Sequence, residues 1–363
     1  MQEGKIILLT GGGTLGSVTP LLAIAEAWRA LDASVEFVWA GTHEGPEERF
    51  VRAAGIPFYA LSAPKLTRYP SLSWLLILPR TVRSLWLSWR LVQRLRPAWI
   101  LSAGSYVSVP LVWAGKGCRA RVMAYQLDVK PGLANRLIAP IADRFYGVWE
   151  GTRRQFGADV RVVGMAISAD RTHLPSRETA RAAFPSLTEH RPTILVLGGG
   201  LGSSSLNHCF EAAAMTLTQA YNVIHLTGKG KHIFIGRVQP DGYVVHEELQ
   251  ETYSHAMALA DVVVTRAGMG ALADVVAGGK AAVLVPLRGA QEKNAHIAEK
   301  AGAALVLRDP SPTSLLPKIH EALNRRQEFE KNIRSLFPVI GVARRIAQDL
   351  QSWCAGRGSD PRP

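Results

Sequence analysis

A glycine-rich segment directly follows the first apolar run of the chain. The sequence reads KIILLT over 5–10 and GGGTLGSVTP over 11–20. Glycines after a buried strand let the backbone come close to an anionic group, whose oxygens accept hydrogen bonds from the loop amides. We therefore predict an anion-binding loop over 11–17, where the Ser17 hydroxyl is a further hydrogen-bond donor to a phosphate.

The second half of the chain carries a stronger candidate for the same chemistry. The segment at 261–287, DVVVTRAGMGALADVVAGGKAAVLVPL, predicts a strand, a glycine turn, a short helix and another buried strand. Backbone amides at the start of such a helix form a site for a diphosphate. The residues that supply these amides are Gly268, Met269, Gly270 and Ala271.

Polar side chains near this turn can hold the rest of a nucleotide sugar. Asp274, one helical turn further, can accept hydrogen bonds from ribose hydroxyls, or it can be an ordinary acid on the helix surface. Gln291 and Asn294 follow the next strand and lie three residues apart, on one face of a helix. Their amides can bind the hydroxyls of a sugar, or they can cap the helix and face water.

Both glycine segments belong to an internal repeat. KIILLTGGGTLGSVTPLLA at 5–23 is similar to TILVLGGGLGSSSLNHCFEAA at 193–213. Continuous apolar strands between helical stretches predict parallel sheets covered on both faces, so we expect an α/β protein with two doubly wound, Rossmann-like domains facing a cleft. The predicted strands lie near 5–10, 35–40, 99–102, 121–125 and 160–163, and near 193–198, 222–226, 243–246, 261–264, 282–285 and 304–307.

The domain boundaries follow from a polar, proline-containing stretch between the two halves. We place the first domain at 1–163, a linker at 164–192, the second domain at 193–340, and a C-terminal helix and tail at 341–363. A dinucleotide-binding fold needs an acidic residue at the end of its second strand, and neither half has one. Neither loop matches a Walker A motif, so the ligand is not predicted to be a dinucleotide or a P-loop nucleotide.

The chain is strongly basic, with a net charge of +13, so we expect an anionic partner. Much of this charge lies at 70–97, where arginines alternate with tryptophan and leucine. That mixture favours insertion beside anionic lipid headgroups over base stacking on nucleic acid, and a helix with a buried apolar side is the alternative. No apolar run approaches the roughly 20 residues of a membrane-spanning helix. The residues expected at the membrane are Trp74, Leu75, Leu76, Ile77, Leu78, Arg80, Arg83 and Trp86.

The order of these motifs resembles that of the MurG-type glycosyltransferases, which have the two-domain GT-B fold. The segments that carry the resemblance are GGGTLGSVTP, SAGSYVSVP, LVLGGGLGSSSLN, TRAGMGALADVVAGGKAAVLVP and QEKNA. The resemblance implies transfer of N-acetylglucosamine from its UDP donor to lipid I, a polyprenyl diphosphate, to make lipid II for peptidoglycan. It also implies a peripheral protein at the cytoplasmic face of the membrane, with other cell-wall enzymes as candidate partners.

By this resemblance, the second domain binds the donor and the first domain binds the acceptor. The donor-binding residues are expected to be Gly199, Gly200, Arg266, Gly268, Met269, Gly270, Ala271, Asp274, Gln291 and Asn294. The acceptor diphosphate is expected at Gly12, Gly13, Thr14, Gly16 and Ser17, with Gly104, Tyr106 and Gln126 also on the acceptor side. No cofactor or metal is expected, because helix amides can stabilise the UDP leaving group and the chain has no Asp-x-Asp pair.

Several family positions are changed together in this chain. In the first loop, Leu15 replaces a glycine and Ser17 replaces a histidine. Gln126 replaces a glutamate, and the segment 164–168 lacks the arginine of the family's GNPxR motif. Ser17 has no activating partner near it in sequence and is a poor base. We therefore assign the proton-accepting role to Asp128, which follows a strand at a family asparagine; an exposed turn acid is the alternative.

Asp274 stands where the family has a glutamate, one methylene longer. With so many contacts altered, two other functions stay open: a transferase with another polyprenyl-linked or glycerolipid acceptor, and a non-catalytic MurG-like subunit at the membrane. The retained glycine turns, Gln291 and Asn294 favour an enzyme. We therefore predict an inverting, metal-independent N-acetylglucosaminyltransferase.

Overall fold

The structure is a computed structural model that describes three stretches of the chain. These stretches are residues 6–64, 77–234 and 238–355. Of the residues expected at the membrane, Trp74, Leu75 and Leu76 lie outside the described residues.

The chain divides into two compact units. One consists of residues 1–168 and 340–363, and the other of residues 169–339. The stretch that we expected as a linker therefore lies largely in the second unit from residue 169 onward. There the Arg177 guanidinium donates two hydrogen bonds, of 3.1 and 2.9 Å, to the carboxylate of Asp261.

The first unit has a seven-stranded parallel sheet within its described residues. Its strands are β1 (Ile6–Thr10), β2 (Glu36–Thr42), β3 (Phe58–Leu61), β4 (Trp99–Ser102), β5 (Arg121–Gln126), β6 (Arg144–Gly147) and β7 (Arg161–Val162), in the spatial order β3-β2-β1-β4-β5-β6-β7. Consecutive side chains on one strand point to opposite faces, yet Leu8 and Leu9 are both fully buried, as are Ile100 and Leu101. Both faces of this sheet are therefore covered.

The helices of the first unit begin with α1, which has Pro20 in its first turn, where the missing amide proton costs no hydrogen bond. The helices up to the second unit are α1 (Thr19–Arg29), α2 (Glu47–Ala53), α3 (Ile77–Leu95), α4 (Ser108–Gly117), α5 (Leu133–Ile138) and α6 (Gly151–Phe156), with 3-10 turns at Leu15–Ser17 and Ala139–Ile141. Apolar side chains of α3 and α4 pack with those of β4 and β5 in one core.

The second unit repeats this architecture with six parallel strands in its described residues. They are β8 (Thr193–Leu197), β9 (Asn222–Leu226), β10 (Tyr243–His246), β11 (Val262–Thr265), β12 (Ala281–Leu284) and β13 (Leu305–Val306), in the order β10-β9-β8-β11-β12-β13. The helices are α7 (Ala169–Thr172), α8 (Arg177–Ala182), α9 (Ser204–Leu217), α10 (Tyr253–Leu259), α11 (Met269–Gly278), α12 (Ala290–Lys300), α13 (Pro312–Asn324) and α14 (Arg326–Arg334).

The last helix, α15 (Val342–Ala355), returns to the first unit and packs on α1. The Trp353 ring lies 5.0 Å from the ring of Trp99, and the guanidinium of Arg121 lies over the Trp353 ring at 4.6 Å. Asp349 accepts hydrogen bonds from the Tyr146 hydroxyl and from an arginine on β7. These contacts make α15 part of the first unit's own packing.

The predicted fold class is confirmed, because both units are parallel sheets with helices on both faces. The predicted strands are present, most of them with ends shifted by one or two residues. Two strands were not predicted, β3 and β6, which are four residues long each. In β3 the middle residues Tyr59 and Ala60 are not buried, in contrast to the fully buried β4 and β11.

Candidate active site

Both glycine loops follow strands at which the sheet order changes direction. In the first unit β1 pairs with both β2 and β4, and in the second unit β8 pairs with both β9 and β11. Doubly wound folds bind ligands outside the carboxyl ends of the strands at this point, where adjacent connections diverge. The loops after β1 and β4 form one candidate site, and those after β8 and β11 form another.

The loop after β1 is held in place by three side chains from other elements. The indole nitrogen of Trp39 donates to the carbonyl of Gly11 at 3.1 Å, and the Ser105 hydroxyl donates to the carbonyl of Gly12 at 3.0 Å. The amide of Gly13 donates inward to the carboxylate of Glu47 at 3.1 Å. Sequence reasoning missed Glu47, which lies 34 residues beyond Gly13 and has no local pattern to mark it.

Of the loop residues expected to bind an acceptor diphosphate, Thr14 is exposed and Gly16 is half-buried. Ser17 is different, since it is only 7% exposed and its hydroxyl has no hydrogen-bond partner among the described residues. A Cβ added to Gly11 would lie 3.2 Å from the Ser17 Oγ, so this hydroxyl lies against the backbone of the loop. In the described stretches no acid or base therefore forms a hydrogen bond with the Ser17 hydroxyl.

The loop after β4 contributes Gly104 and Tyr106. A Cβ added to Gly13 would lie 3.3 Å from the Tyr106 ring, so this ring borders the first loop. Burial raises the pKa of Tyr106, and a hydrogen bond with Thr42 opposes that rise. Tyr106 therefore carries a neutral hydroxyl at physiological pH, which can donate a hydrogen bond at the edge of the site.

Gln126 and Asp128 follow β5, the next strand in the sheet. Gln126 is buried; its Nε2 donates to the Asp128 carbonyl at 2.6 Å, and its Oε1 accepts from Asn135 at 2.7 Å. Asn135 fills the space beside Gly104, where an added Cβ would lie 2.9 Å from the Asn135 Oδ1. Gln126 therefore positions the backbone of Asp128, whose side chain is half-buried.

In the second unit, a buried arginine joins the loops after β8 and β11. Arg266 is 9% exposed; its Nη1 donates to the hydroxyl of Ser203, which caps α9, and its Nε has no partner among the described residues. Burial lowers the pKa of Arg266. Lys231 adds a second cation, donating to the Gly202 carbonyl at 3.1 Å. A buried guanidinium that donates to a neutral hydroxyl keeps its positive charge available for an anion.

The glycines of the β8 loop allow close backbone contact. A Cβ added to Gly202 would lie 2.0 Å from the carbonyl oxygen of Thr227, so no larger residue fits there without movement. Gly199 and Gly200, at the tip of the same loop, are exposed. The backbone at this tip is therefore accessible to a ligand.

The turn after β11 opens α11 as the sequence predicts. Gly268 is the N-cap, and no side chain of the described residues caps this helix, so the amides of its first turn have no side-chain acceptor there. Gln291, in the first turn of α12, lies near Gly268. A Cβ added to Gly268 would lie 3.9 Å from the Gln291 Nε2. Asn294 is fully buried, and its Nδ2 donates to the carbonyl of Ala267 at 3.2 Å. Asn294 therefore supports the turn from behind, and Gln291 borders it.

Asp274 is buried, so it is not an ordinary acid on the helix surface, which was the alternative considered from the sequence. It is 4% exposed, and its carboxylate accepts hydrogen bonds from the Arg171 guanidinium at 2.8 and 3.1 Å and from the Tyr253 hydroxyl at 2.7 Å. The pKa of Arg171 is raised by the charge of Asp274, and the pKa of Tyr253 is raised by burial and then by Asp274. Sequence reasoning missed Arg171, which lies in the stretch expected as a linker.

Helix α3 exposes large apolar side chains up to Trp89 and buries the small Ser84 and Ser88, while Leu91 and Val92 near its end lie in the core. Leu78 is 73% exposed, Val82 59% and Trp86 51%, whereas Ser84 and Ser88 are buried. The neighbouring helices α4 and α5 add the exposed side chains Trp113, Leu133 and Leu137. Arg80 and Arg83 are also exposed, while the side chain of Ile77 is outside the described residues. The alternative of a buried apolar side is therefore wrong for the first turns of α3. We call Leu78, Val82, Trp86, Trp113, Leu133 and Leu137 the apolar surface.

Two general findings concern metal ions and membrane spans. In the described stretches, no three His, Cys, Asp or Glu side chains come together as a metal site. Among the helices of those same stretches, none is long and apolar enough to cross a membrane.

The two units match the two halves of a known family. Residues 7–147 match the glycosyltransferase family 28 N-terminal domain, and residues 193–346 match the glycosyltransferase family 28 C-terminal domain. These matches and the two doubly wound sheets define a glycosyltransferase of family 28.

Within that class, several similar curated proteins share one name. UDP-N-acetylglucosamine--N-acetylmuramyl-(pentapeptide) pyrophosphoryl-undecaprenol N-acetylglucosamine transferase of Legionella pneumophila strain Paris is 31% identical over 91% of this chain and 92% of its own length. The protein of that name from Shouchella clausii is 32% identical, over 96% of this chain and 100% of its own. The chain therefore belongs to the MurG family, and the resemblance seen in the sequence is confirmed.

Solved structures agree on the fold. The crystal structure of Acinetobacter baumannii MurG has a TM-score of 0.72 with this chain at 21% identity, and the match covers 96% of this chain and 99% of that one. A UDP-GlcNAc 2-epimerase from Neisseria meningitidis, bound to UDP-GlcNAc, has a TM-score of 0.65 at 12% identity over 96% and 99% of the two chains. At these identities the likeness concerns the fold alone.

Proposed function

We propose that this chain transfers N-acetylglucosamine from UDP-N-acetylglucosamine to lipid I and so makes lipid II for peptidoglycan. The observation that carries the proposal is its 31–32% identity to relatives named for this reaction, over more than nine-tenths of their length. The anion-binding features of the β8 and β11 loops support it, since a UDP-sugar donor brings a diphosphate.

We assign the donor to the second unit. Its diphosphate lies at the start of α11, where the first amides of the helix meet negative charge, and beside Arg266. Gln291 binds the sugar, next to this turn. Asp274 already accepts three hydrogen bonds from Arg171 and Tyr253, so about one of its four lone-pair positions is left for a ribose hydroxyl.

We assign the acceptor to the first unit, with its diphosphate at the loop after β1. Transfer forms a bond from the acceptor hydroxyl oxygen to the anomeric carbon and breaks the bond from that carbon to the β-phosphate oxygen. In-line attack inverts the anomeric centre. The hydroxyl proton passes to the carboxylate of Asp128, and helix amides with Arg266 stabilise the negative charge on the departing UDP. In this mechanism the protein's own donors serve the leaving group and no metal ion is required.

We assign the apolar surface and its arginines to contact with an anionic membrane. Over residues 78–89, helix α3 buries serines and exposes leucine, valine and tryptophan, so this part of the helix has an apolar side toward the outside of the protein. Arg90 lies over the Trp86 ring at 4.8 Å, which places a cation beside an apolar anchor. The lipid acceptor is then bound by a peripheral protein at the cytoplasmic face of the membrane.

A transfer assay tests the proposed function directly. Wild-type protein should move radiolabel from UDP-N-acetylglucosamine to a lipid I analogue, and the donor alone should raise the melting temperature. A second outcome is that the protein binds the donor and transfers the sugar to another polyprenyl-linked or glycerolipid acceptor, and not to lipid I. That result would redirect the proposal to that acceptor. Donor binding without any transfer would favour a non-catalytic subunit, and no thermal shift at millimolar donor would contradict the donor assignment.

Arg266 gives this assay an internal check on the donor site. Arg266→Ala should weaken donor binding by about tenfold or more, since a charge-assisted hydrogen bond to phosphate contributes roughly 1.5–3 kcal/mol. Lys300→Ala removes the same charge from an exposed position at the end of α12 and should leave donor binding unchanged. Equal donor affinity in the two variants would remove Arg266 from the site.

A further inference from the structure

A fully buried carboxylate lies under the glycine loop of the first unit. Glu47 is the first residue of α2, and its side chain is 0% exposed. Its Oε1 accepts hydrogen bonds from the amide of Thr42, at 2.7 Å, and from the Thr42 hydroxyl, while its Oε2 accepts from the Gly13 amide at 3.1 Å. Among the described residues, no lysine or arginine forms an ion pair with Glu47.

The space around this carboxylate is shaped by glycine. A Cβ added to Gly12 would lie 2.1 Å from the Glu47 Oε1, and one added to Gly45 would lie 1.8 Å from Oε2. These distances are far below any carbon–oxygen contact, so a side chain at either position would displace the carboxylate or the loop. The loop after β1 and the loop after β2 are therefore both fitted to Glu47.

A buried carboxylate without a counter-ion is costly, and hydrogen bonds must offset that cost. The two bonds from Thr42 would suffice to join β2 to α2. The bond from the Gly13 amide has a different effect. It joins Glu47 to the loop after β1, 34 residues earlier in the chain, and it turns this N–H group away from solvent. Since a carboxylate can only accept hydrogen bonds, it fixes the direction of this N–H group.

Fixing the Gly13 amide sets the shape of the whole loop. Gly13 has a φ of +77°, which few residues other than glycine adopt, and the Gly11 and Gly12 carbonyls before it are held by Trp39 and Ser105. The Gly12 carbonyl and the Gly13 amide belong to one peptide group, so these side chains hold two consecutive peptide groups, and the exposed end of the loop at Thr14 follows a fixed backbone.

We propose that Glu47 is a positioning residue for the acceptor: its carboxylate holds the β1 loop in the conformation that binds the acceptor diphosphate. The inference rests on the proposed function, because the acceptor is the lipid diphosphate assigned above. Glu47 does not touch the substrate, and it acts through the Gly13 amide. It therefore affects acceptor binding and leaves donor binding, in the second unit, unchanged.

Glu47→Gln is the sharpest test, because it keeps the size of the side chain and removes one acceptor. The amide oxygen of the glutamine can still accept from Thr42, but its NH2 group then faces the N–H of Gly13, and two donors repel each other. Glu48→Gln is the matched control, since Glu48 is the next residue and forms an exposed pair with Arg52 at 2.8 Å. Thr42→Val, which removes the hydroxyl bonds to Glu47 and Tyr106 but keeps the Thr42 amide, is a milder second variant.

Steady-state transfer gives the first measurement. Glu47→Gln should raise the KM for a lipid I analogue about tenfold, as expected for one hydrogen bond to a charged group, while the donor KM and the donor-induced thermal shift stay at wild-type values. Thr42→Val should show a smaller rise and Glu48→Gln none. An unchanged acceptor KM in Glu47→Gln, or an equal rise of the donor and acceptor KM, would overturn the positioning role.

Amide hydrogen exchange gives a second measurement that does not depend on catalysis. In wild-type protein the Gly13 amide should exchange slowly and that of Thr14 rapidly, and Glu47→Gln should speed exchange at Gly13 at least tenfold while β8 and β11 keep their protection. Fast exchange at Gly13 in the wild type would overturn the inference even if Glu47→Gln fails to fold. If wild-type protein transfers nothing to lipid I, the proposed function fails. Hydrogen exchange at Gly13, measured with and without undecaprenyl diphosphate, then decides whether the loop binds a lipid diphosphate.

Discussion

Arg171 and Asp274 form an ion pair in the second unit, in which one guanidinium nitrogen, Nη1, donates to both carboxylate oxygens, although 103 residues separate the two residues in the chain. The guanidinium donates at 2.8 and 3.1 Å to a carboxylate that is almost fully buried. Arg171 lies three residues after the segment 164–168, where the family's arginine is absent from the sequence. The ion pair therefore places an arginine beside Asp274, the residue that we assign to the donor ribose. This arginine lies outside the segment 164–168.

Loss of Arg171 should weaken both the second unit and donor binding. Arg171→Ala leaves the Asp274 carboxylate buried with only Tyr253 as a partner among the described residues, which should lower the free energy of unfolding by about 1–3 kcal/mol. Arg171→Lys should have an intermediate stability, because it keeps the positive charge but replaces the guanidinium with a strongly hydrated ammonium. All nine tryptophans lie in the first unit, so the loss should be followed by hydrogen exchange in α11 peptides and not by tryptophan fluorescence.

Arg308→Ala serves as the control for Arg171. Arg308 pairs with Glu299 at 2.8 Å on the surface of the same unit, where an ion pair contributes roughly 0–1 kcal/mol. If α11 is equally protected from exchange in Arg171→Ala and Arg308→Ala, and both variants bind UDP-N-acetylglucosamine equally, the buried pair has no special part in the donor site.

Removal of the proposed base should slow the chemical step alone. Asp128→Asn should lower kcat by about 10²–10⁴, the usual contribution of a general base, with little change in the thermal shift caused by the donor. Asp159→Asn, at an exposed position of the same unit, should behave as wild type. Wild-type turnover in Asp128→Asn would show that another group takes the proton.

The apolar surface should determine binding to anionic membranes. Trp86→Glu places a negative charge in the middle of α3, so cosedimentation with phosphatidylglycerol vesicles should fall several-fold, and added salt should weaken what binding is left. Met215→Glu makes the same kind of change at a 69% exposed methionine on α9, in the other unit, and should not alter binding. Equal binding of the two variants at all salt concentrations would remove α3 from the membrane contact.

The second unit should lose stability in mild acid because of His225. This ring is fully buried; Tyr243 bonds its Nδ1 at 2.7 Å and Asn207 its Nε2 at 3.1 Å, and burial lowers its pKa to about 3. Below the unfolded-state pKa near 6.5, the unfolded chain takes up a proton that the folded unit refuses. The free energy of unfolding should therefore fall by about 2 kcal/mol between pH 7 and pH 5, and continue to fall toward pH 3.

A pair of histidine variants isolates this effect. His225→Gln should reduce the loss between pH 7 and pH 5, measured by hydrogen exchange in β9 peptides, even if it lowers stability at neutral pH. His208→Gln, on the exposed side of α9, should leave the loss at its wild-type size. The same pH dependence in both variants would mean that other groups cause the acid sensitivity.

The sequence predicted the features of the fold that are local. A glycine turn directly after an apolar run is visible in the sequence, so the loops at 11–17 and 198–202, the turn at 268–271 and the strands before them were found. The strands β3 and β6 were missed because their segments, FYAL and RFYG, have none of the Val or Ile residues that every other described strand contains. Their existence depends on pairing with β2 and β5, which local sequence does not reveal.

The candidate site was predicted less completely, because its supporting contacts are distant in sequence. Ser17 and Asp274 were identified by motif position, but their burial follows from the loop backbone and from Arg171. Glu47 is one acid among several in a charged stretch, and only the folded chain brings it to Gly13. Residues that touch a ligand can be found from motifs, whereas those that hold them in place require the tertiary structure.

The return of α15 to the first unit has a consequence for synthesis on the ribosome. The contacts of Trp353 with Trp99, and of Asp349 with Tyr146, need residues near the end of the chain. All residues of the second unit are translated before α15 emerges. The unit that is translated first therefore completes its packing last, and a nascent chain released before residue 342 carries an uncovered face on α1 into the cell.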